Sequence, residues 1–327
     1  MSSGLSDRYG LVADIGGTNA RFALVAPGQL QPEQQLTLSV DDFDTIDAAI
    51  HTYLGQTGIG AERMPLEACL AIACPTSGDL ISMTNNGWCF SRSKLQPELG
   101  LRRLQVINDY AAQAYAAPHL KPHELFPVGG GEALDGYPIA LIGPGTGLGA
   151  AGLVRNGGGP VALVTEGGHV DFAPCDELEM EVLRFLWRSH GHVSVERLLS
   201  GMGLTNLHQA LSEIRGGSAE PLTPAQISAR ALEQGDSLCS ETLDLFCAVL
   251  GSVAGNTALT LGAQGGVYIT GGIIPRMLER FANSRFRERF EAKGRFQPYM
   301  AAIPTQVVIA EQPGLLGASA ALQRQAI

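Results

Sequence analysis

The chain has 327 residues, 45% of them hydrophobic and 17% charged, which is enough apolar material for two packed domains and argues against disorder. With 32 acidic against 22 basic side chains the formal net charge is −10, so a general nucleic-acid partner or an anionic membrane surface is disfavoured, because nothing offsets phosphate repulsion. Residues 1–9 are polar, without a basic stretch followed by an apolar one, so no signal peptide is expected. The six cysteines (Cys69, Cys74, Cys89, Cys175, Cys239, Cys247) form no C-x-x-C pair and read as buried thiols in a reducing cytoplasm.

In chain order, residues 11–25 hold two apolar runs joined by Gly16-Gly17-Thr18-Asn19, the pattern of a β-hairpin. The two glycines can take φ > 0 and offer bare backbone N–H groups, Thr18 and Asn19 add short polar side chains, and Asp14-Ile15 closes the first strand with a carboxylate beside the turn. That combination suits a phosphate with its magnesium ion. An ordinary hairpin turn uses the same residues, and this stretch alone leaves both readings open. Residues 35–39 read as a strand, 43–54 as a helix from their apolar spacing, and 68–73 as a buried-strand run ending at Cys74-Pro75. Residues 104–107 form a further buried strand, with Asn108-Asp109 at its carboxyl end and a helix over 110–117 behind them. Ligands collect at such strand ends in open α/β sheets, while an Asx residue in this place also caps the helix; the two roles can be shared between the two side chains. Pro118 and Pro122 interrupt the pattern and mark a domain boundary.

Residues 139–158 repeat the first design: an apolar strand, the turn Gly145-Thr146-Gly147, a second apolar strand and a polar turn at Asn156-Gly157-Gly158. Gly145 to Ala150 also fits G-x-G-x-x-G/A, with Glu166 about where a ribose-binding acid belongs. A dinucleotide site needs a helix directly after the glycines, and 150–154 is short, apolar and closed by hairpin chemistry, so that reading is rejected. A P-loop is excluded because no G-x-x-x-x-G-K-[ST] occurs and the only lysines are Lys94, Lys121 and Lys293. Residues 161–165 form a strand that leads into Glu166-Gly167-Gly168-His169, a carboxylate and an imidazole on a Gly-Gly bend. Taken alone, His169 suits a satisfied structural histidine as well as a ligand.

Helices follow: 176–189 with Leu178, Val182, Phe185 and Leu186 on one face, a short helix carrying Glu196 with Ser194 at its N-cap, another capped by Thr205, and a third opened by Thr223-Pro224. Glu196 on such a helix is by itself a solvated charge. Residues 245–275 carry no charge, which raises a membrane span; Ser252, Asn256, Gln264 and the glycines divide the run into a buried helix (240–261) and a strand (266–270) that ends at Gly271-Gly272, where a flat adenine ring could approach bare backbone. A small-residue helix over 314–325 closes the chain and is expected to return to the first domain.

Two phosphate-type hairpins and a late Gly-Gly strand end together resemble the ATPase core shared by sugar kinases, actin and the heat-shock ATPases. At Val106-Ile107-Asn108-Asp109, at Glu166-Gly167-Gly168-His169 and at the 191–201 segment around Glu196 the resemblance narrows, and the whole chain looks like a bacterial glucokinase of the zinc-free proteobacterial type. The resemblance implies an α/β, two-domain actin-like ATPase fold built from duplicated ribonuclease-H-like mixed sheets. It divides the chain into a small domain (1–118 plus 311–327) and a large one with helical insertions (119–310).

It also implies the chemistry. Phosphoryl transfer passes through a loose transition state, so catalysis is mostly alignment, charge neutralisation and a placed base. Asp109 is the expected base for the glucose 6-hydroxyl, and Asp14 is expected to hold Mg²⁺ through water. Asn108, Asp109, Glu166, His169 and Glu196 would bind the sugar. Asp14, Ile15, Gly16, Gly17, Thr18 and Asn19, with Gly145, Thr146, Gly147, Gly271 and Gly272, would bind ATP. The zinc-containing repressor/kinase relatives join the histidine of this motif to three nearby cysteines, whereas here Cys175 stands alone until Cys239, so no structural zinc is expected. The resemblance further implies closure of the two domains over the sugar, a cytoplasmic enzyme and a homodimer, with no nucleic-acid or membrane partner. Two alternatives remain: a kinase for another hexose or an N-acetylhexosamine, and a sugar-sensing regulator, which carries a helix-turn-helix ahead of the first hairpin where only about ten residues stand here.

Overall fold

A computed structural model describes residues 8–83, 86–156, 159–218 and 220–324. Residues 1–7, the Gly157-Gly158 turn and Gln325, all read from the sequence above, lie outside the described residues. The chain forms two compact units, the first comprising Met1–Lys121, Asn156–Val164 and Ala310–Ile327, the second Pro122–Arg155 and Thr165–Ile309.

In the first unit the strands are β1 (Gly10–Ile15), β2 (Asn19–Val25), β3 (Pro32–Ser39), β4 (Glu67–Ile72), the short pair β5 (Leu80–Ser82) and β6 (Cys89–Ser91), and β7 (Arg103–Asn108). The main sheet has the order β3-β2-β1-β4-β7. β1 and β2 are the antiparallel hairpin read from the sequence, while β1, β4 and β7 run parallel. Alternation along β1 and β4 sends side chains to two faces, as a pleated strand requires. Leu11, Ala13, Ile15, Leu70 and Ile72 face Ile46, Ile50 and Tyr53 of the helix Ile46–Thr57. Val12, Cys69 and Ala71 face Ala112 of the helix Asp109–Ala116 and Leu315 and Ala318 of the C-terminal helix Pro313–Leu322. A strand buried on both faces must read as a continuous apolar run, which is why 68–73 did.

The second unit contains β8 (Leu125–Gly129), β9 (Ile139–Pro144), most of β10 (Leu148–Asn156), β12 (Val267–Ile269) and β13 (Thr305–Val308); β11 (Gly159–Thr165) follows β10 in the chain. Its sheet runs β10-β9-β12-β13-β8. β9 and β10 are antiparallel and β9, β12 and β13 parallel, so the arrangement β2-β1-β4-β7 of the first unit recurs as β10-β9-β12-β13. Leu148 starts a strand and not a helix, which removes the dinucleotide site on structural grounds as well. The helix Ser237–Leu261 is long and apolar enough to cross a membrane, but most of it is buried in this unit's core, to which it contributes Leu243, Phe246, Val249 and Leu250.

Three local expectations change, and one conformation that the sequence permits goes unused. Thr205 caps nothing: it sits inside the helix Gly201–Ile214, which Ser200 caps by accepting from the Gly203 N–H at 3.0 Å. Two glycines in the first turn disguise that helix start. Ser194 does precede the turn Val195–Arg197 but makes no capping bond with its side chain. Neither Gly16 nor Gly17 has a positive φ; the turn closes through the Gly16 N–H donating to the Asn19 carbonyl at 2.9 Å. Cys69, Cys74, Cys239 and Cys247 are buried, whereas Cys89 and Cys175 are exposed; Cys89 alternates with the buried Trp88 and Phe90 on either side of it.

The C-terminal helix reaches the first unit's core through its small residues. At Gly317 a Cβ atom would come within 1.7 Å of the Ala112 carbonyl oxygen, so the two helices meet backbone to backbone. Gly317→Ala is therefore expected to cost about 1–3 kcal/mol by overpacking. Thermal unfolding should show Tm lowered by at least about 3 °C; an unchanged Tm would mean that the two helices are free to separate.

Candidate active site

The parallel register gathers the candidate residues of the first unit. Ile15 pairs with Ile72 and Ile72 with Asn108, so the carboxyl ends of β1, β4 and β7 lie side by side, and the residues at those ends share one edge of the sheet. Asp14 lies at this edge, with Asn108 and Asp109 at the end of β7. Opposite Asp14 across the hairpin is Arg21, whose guanidinium approaches the carboxylate at 3.7 Å. Burial pushes the Asp14 carboxyl above its ordinary range, and Arg21 opposes the shift. The C-terminal helix closes over the same group: a Cβ on Gly314 would come within 2.7 Å of Asp14 Oδ2.

Asn108 is the N-cap of the helix Asp109–Ala116, its side-chain oxygen accepting from the Tyr110 N–H at 2.9 Å while its amide donates to the Cys74 carbonyl at 3.4 Å. The Asp109 carboxylate accepts from the same N–H at 3.0 Å. The cap role thus falls mainly on Asn108, which leaves Asp109 on the first helical turn, half-buried, with carboxylate capacity to spare. Burial pushes the Asp109 carboxyl up to about 6; the Tyr110 amide pulls against this and the Asp14 charge adds to it. A carboxyl held there is mostly ionised at pH 7 yet basic enough to take a proton from a hydroxyl in a transition state.

The second unit carries the remaining candidate residues. The turn Gly145-Thr146-Gly147 joins β9 to β10, with Thr146 exposed. The Gly145 N–H donates within the turn to the Gly147 carbonyl at 2.8 Å, just as the Gly16 N–H is used within the first turn. The amides of Gly17 and Thr18 in one unit and of Thr146 and Gly147 in the other make no hydrogen bond among the described residues. Of the expected phosphate cradle, those four amides are therefore the ones left to meet a ligand. Gly271 follows β12 at φ 80, where a Cβ would come within 2.4 Å of the Pro144 carbonyl oxygen, and Gly272 beside it is exposed.

Glu166 and His169 flank one turn, Gly167–His169, closed by the His169 N–H donating to the Glu166 carbonyl at 2.9 Å. Both are exposed. His169 and Glu196 line one cleft of about 380 Å³ with His190, His192, Ser194 and Arg197. Glu166 is not among the residues lining that cleft. Glu196 also bonds the second hairpin, accepting from the Leu148 N–H at 2.8 Å. The structure thus brings together Asp14, Asn108 and Asp109 in one unit, and His169, Glu196 and the 145–147 turn in the other. Sequence reasoning missed Arg21, Gly314 and Leu148. Arg21 was within reach, because a hairpin turning at 16–19 places 14 opposite 21; the other two depend on contacts between distant parts of the chain.

This arrangement of hairpins and strand ends matches known proteins along the whole chain. Residues 11–325 fit the model of the family described as Glucokinase. The chain belongs to the glucokinase family. A glucokinase of Hahella chejuensis is 49% identical over 320 residues, which cover 98% of each chain. The crystal structure of a glucokinase from an Antarctic psychrotroph superposes with a TM-score of 0.90 at 40% identity, covering 97% of this chain and 99% of that one. A ROK-family glucokinase of Streptomyces griseus, solved with glucose and AMPPNP, has a TM-score of 0.64 at 18% identity over 97% of this chain and all of its own, a likeness of fold alone. The fold is the actin-like ATPase fold of these sugar kinases.

The charge arrangement in the first unit can be measured without any substrate. Asp109, followed by carbon-detected NMR of labelled carboxyls, should titrate near pH 6 in the ligand-free protein, and Asp14→Asn should lower the midpoint by removing a like charge. A midpoint near the ordinary aspartate value of about 3.9 would remove the basis for assigning it as a base.

Proposed function

We propose that this protein transfers the γ-phosphoryl group of ATP to the 6-hydroxyl of glucose, giving glucose 6-phosphate and ADP. The observation that carries the reading is Asp109: a half-buried carboxyl held near 6 at a strand's carboxyl end, beside a second carboxylate, in a chain whose relatives bear the name glucokinase. As the 6-oxygen attacks phosphorus, Asp109 accepts its proton, the bond from the γ-phosphorus to the bridging oxygen breaks, and ADP leaves with the electron pair. The amides of Gly17, Thr18, Thr146 and Gly147, with the Thr146 hydroxyl, are the groups we assign to the phosphates. The bare backbone at Gly271-Gly272 is where the adenine would lie.

Magnesium fits the donors present. Asp14 supplies a hard oxygen beside the first turn, and Mg²⁺ prefers one or two carboxylates plus water and phosphate oxygens to an all-protein cage. When bound it would neutralise charge on the phosphates. We assign no zinc to the protein: Cys175 and His169 make two donors where a structural site uses four. Asn108, Glu166, His169 and Glu196 would hold the ring hydroxyls, and such a site rejects a sugar whose hydroxyl is missing or displaced, because its own polar groups are then left unpaired.

The test is a coupled ADP-release assay with glucose, mannose, fructose and N-acetylglucosamine, run on protein whose zinc content is measured. Glucose should exceed each rival by at least about tenfold in kcat/KM, and activity should return fully after chelation once Mg²⁺ is restored. Preference for an N-acetylated sugar would overturn the substrate assignment, and stoichiometric zinc would overturn the metal assignment.

A further inference from the structure

The peptide of Leu148 lies between the two loops that carry candidate sugar residues. Its N–H donates to Glu196 Oε2 at 2.8 Å. Its carbonyl oxygen lies against Gly168, the residue before His169, where a Cβ would come within 2.1 Å of it. Leu148 is also the first residue after the Gly145-Thr146-Gly147 turn, and Gly147 leaves room for the same Glu196 oxygen: a Cβ on Gly147 would stand 2.5 Å from Oε2. A second fastening lies a few residues on, where the Gly201 N–H donates to the Gly145 carbonyl at 2.8 Å. Ser200 ties the two fastenings together by donating from its hydroxyl to the Glu196 carbonyl at 2.9 Å. The segment from Glu196 to Gly201 is thus bonded to the turn on both of its sides.

A side chain that acts only as a sugar ligand has no need of a bond to a phosphate turn. We propose that Glu196 is also a positioning residue for the nucleotide: it fixes the Leu148 N–H, and through that peptide the aim of the Thr146 and Gly147 amides, while the same carboxylate lines the cleft shared with His169. The inference rests on the reading of the 145–147 turn as a phosphate cradle and of that cleft as a sugar subsite. It makes one carboxylate common to both substrates. Because the turn and the carboxylate are in direct contact, altering Glu196 should change nucleotide affinity with no sugar present, and altering Gly147 should change sugar affinity with no nucleotide present.

Calorimetry separates this from a sugar-only role. AMPPNP with Mg²⁺, and no sugar, is titrated into the wild-type chain, Glu196→Gln and Glu196→Leu. The glutamine oxygen still accepts from Leu148, so its affinity should stay within about threefold of wild type, while leucine leaves that N–H unpaired and should weaken binding about tenfold. Glucose alone is then titrated into Gly147→Ala, whose methyl group displaces the end of a flexible side chain and leaves the fold intact; affinity should fall about tenfold. Equal AMPPNP affinity in all three proteins overturns the proposal, even if glucose binding is lost in both Glu196 variants, a result that would leave the glucose-kinase reading standing. If Glu196→Leu does not fold, unchanged glucose affinity in Gly147→Ala overturns it instead. Failure of the wild-type chain to bind glucose would overturn the underlying reading and this inference with it.

Discussion

Three parallel strands whose ends are level force two carboxylates together. β1, β4 and β7 are in a register that sets Asp14, Asn108 and Asp109 along one edge of the sheet, and the helices Asp109–Ala116 and Pro313–Leu322 cover the face behind them. Two like charges held partly out of water are costly, and the site meets that cost unequally. Burial raises the proton affinity of both carboxyls; Arg21 across the hairpin opposes the rise at Asp14, while the Tyr110 amide and the Asn108 side chain oppose it at Asp109. Their surroundings differ in kind: a cation stands beside Asp14, and hydrogen-bond donors stand beside Asp109. A shift of one residue in the register of β7 would turn Asn108, its last residue, to the other face and move the start of the helix that carries Asp109.

The same economy of backbone contact recurs at the functional turns. Gly314 lies against the Asp14 carboxylate, Gly168 against the Leu148 carbonyl and Gly271 against the Pro144 carbonyl, so no side chain intervenes between the groups that hold the site in place. Rigid peptide-to-peptide packing of this kind preserves the aim of an amide better than a flexible side chain would, and phosphoryl transfer depends mostly on aim. Duplication of the hairpin supplies two such turns from one structural idea.

Much of this was legible in the residues. The hairpins announce themselves because apolar runs broken by Gly, Thr and Asn have few other uses, and the Asn108 cap follows from an Asx residue between a buried strand and a helix. The expectations that failed depend on local competition. Thr205 is an acceptable cap by type, but Ser200 stands one residue before the helix proper, and Gly201 and Gly203 hide the start from any propensity argument. The positive φ that Gly16 and Gly17 permit is not used, because the Gly16 amide closes the turn without it. Cys175 is exposed although its neighbours Phe172 and Glu179 are buried, a distinction that hydropathy along the chain does not carry. The bond from Leu148 to Glu196 joins residues 48 apart in the chain, and only the fold brings them together.

The central claim is that Asp109 accepts the proton of the attacking hydroxyl, and a single substitution addresses it. Asp109→Asn keeps the size and cap geometry of the side chain and removes its basicity. With glucose and ATP, kcat should fall by about a hundredfold to ten-thousandfold, while glucose affinity measured by equilibrium binding stays near that of the wild-type chain; a purified variant retaining more than about a tenth of the activity would contradict the account.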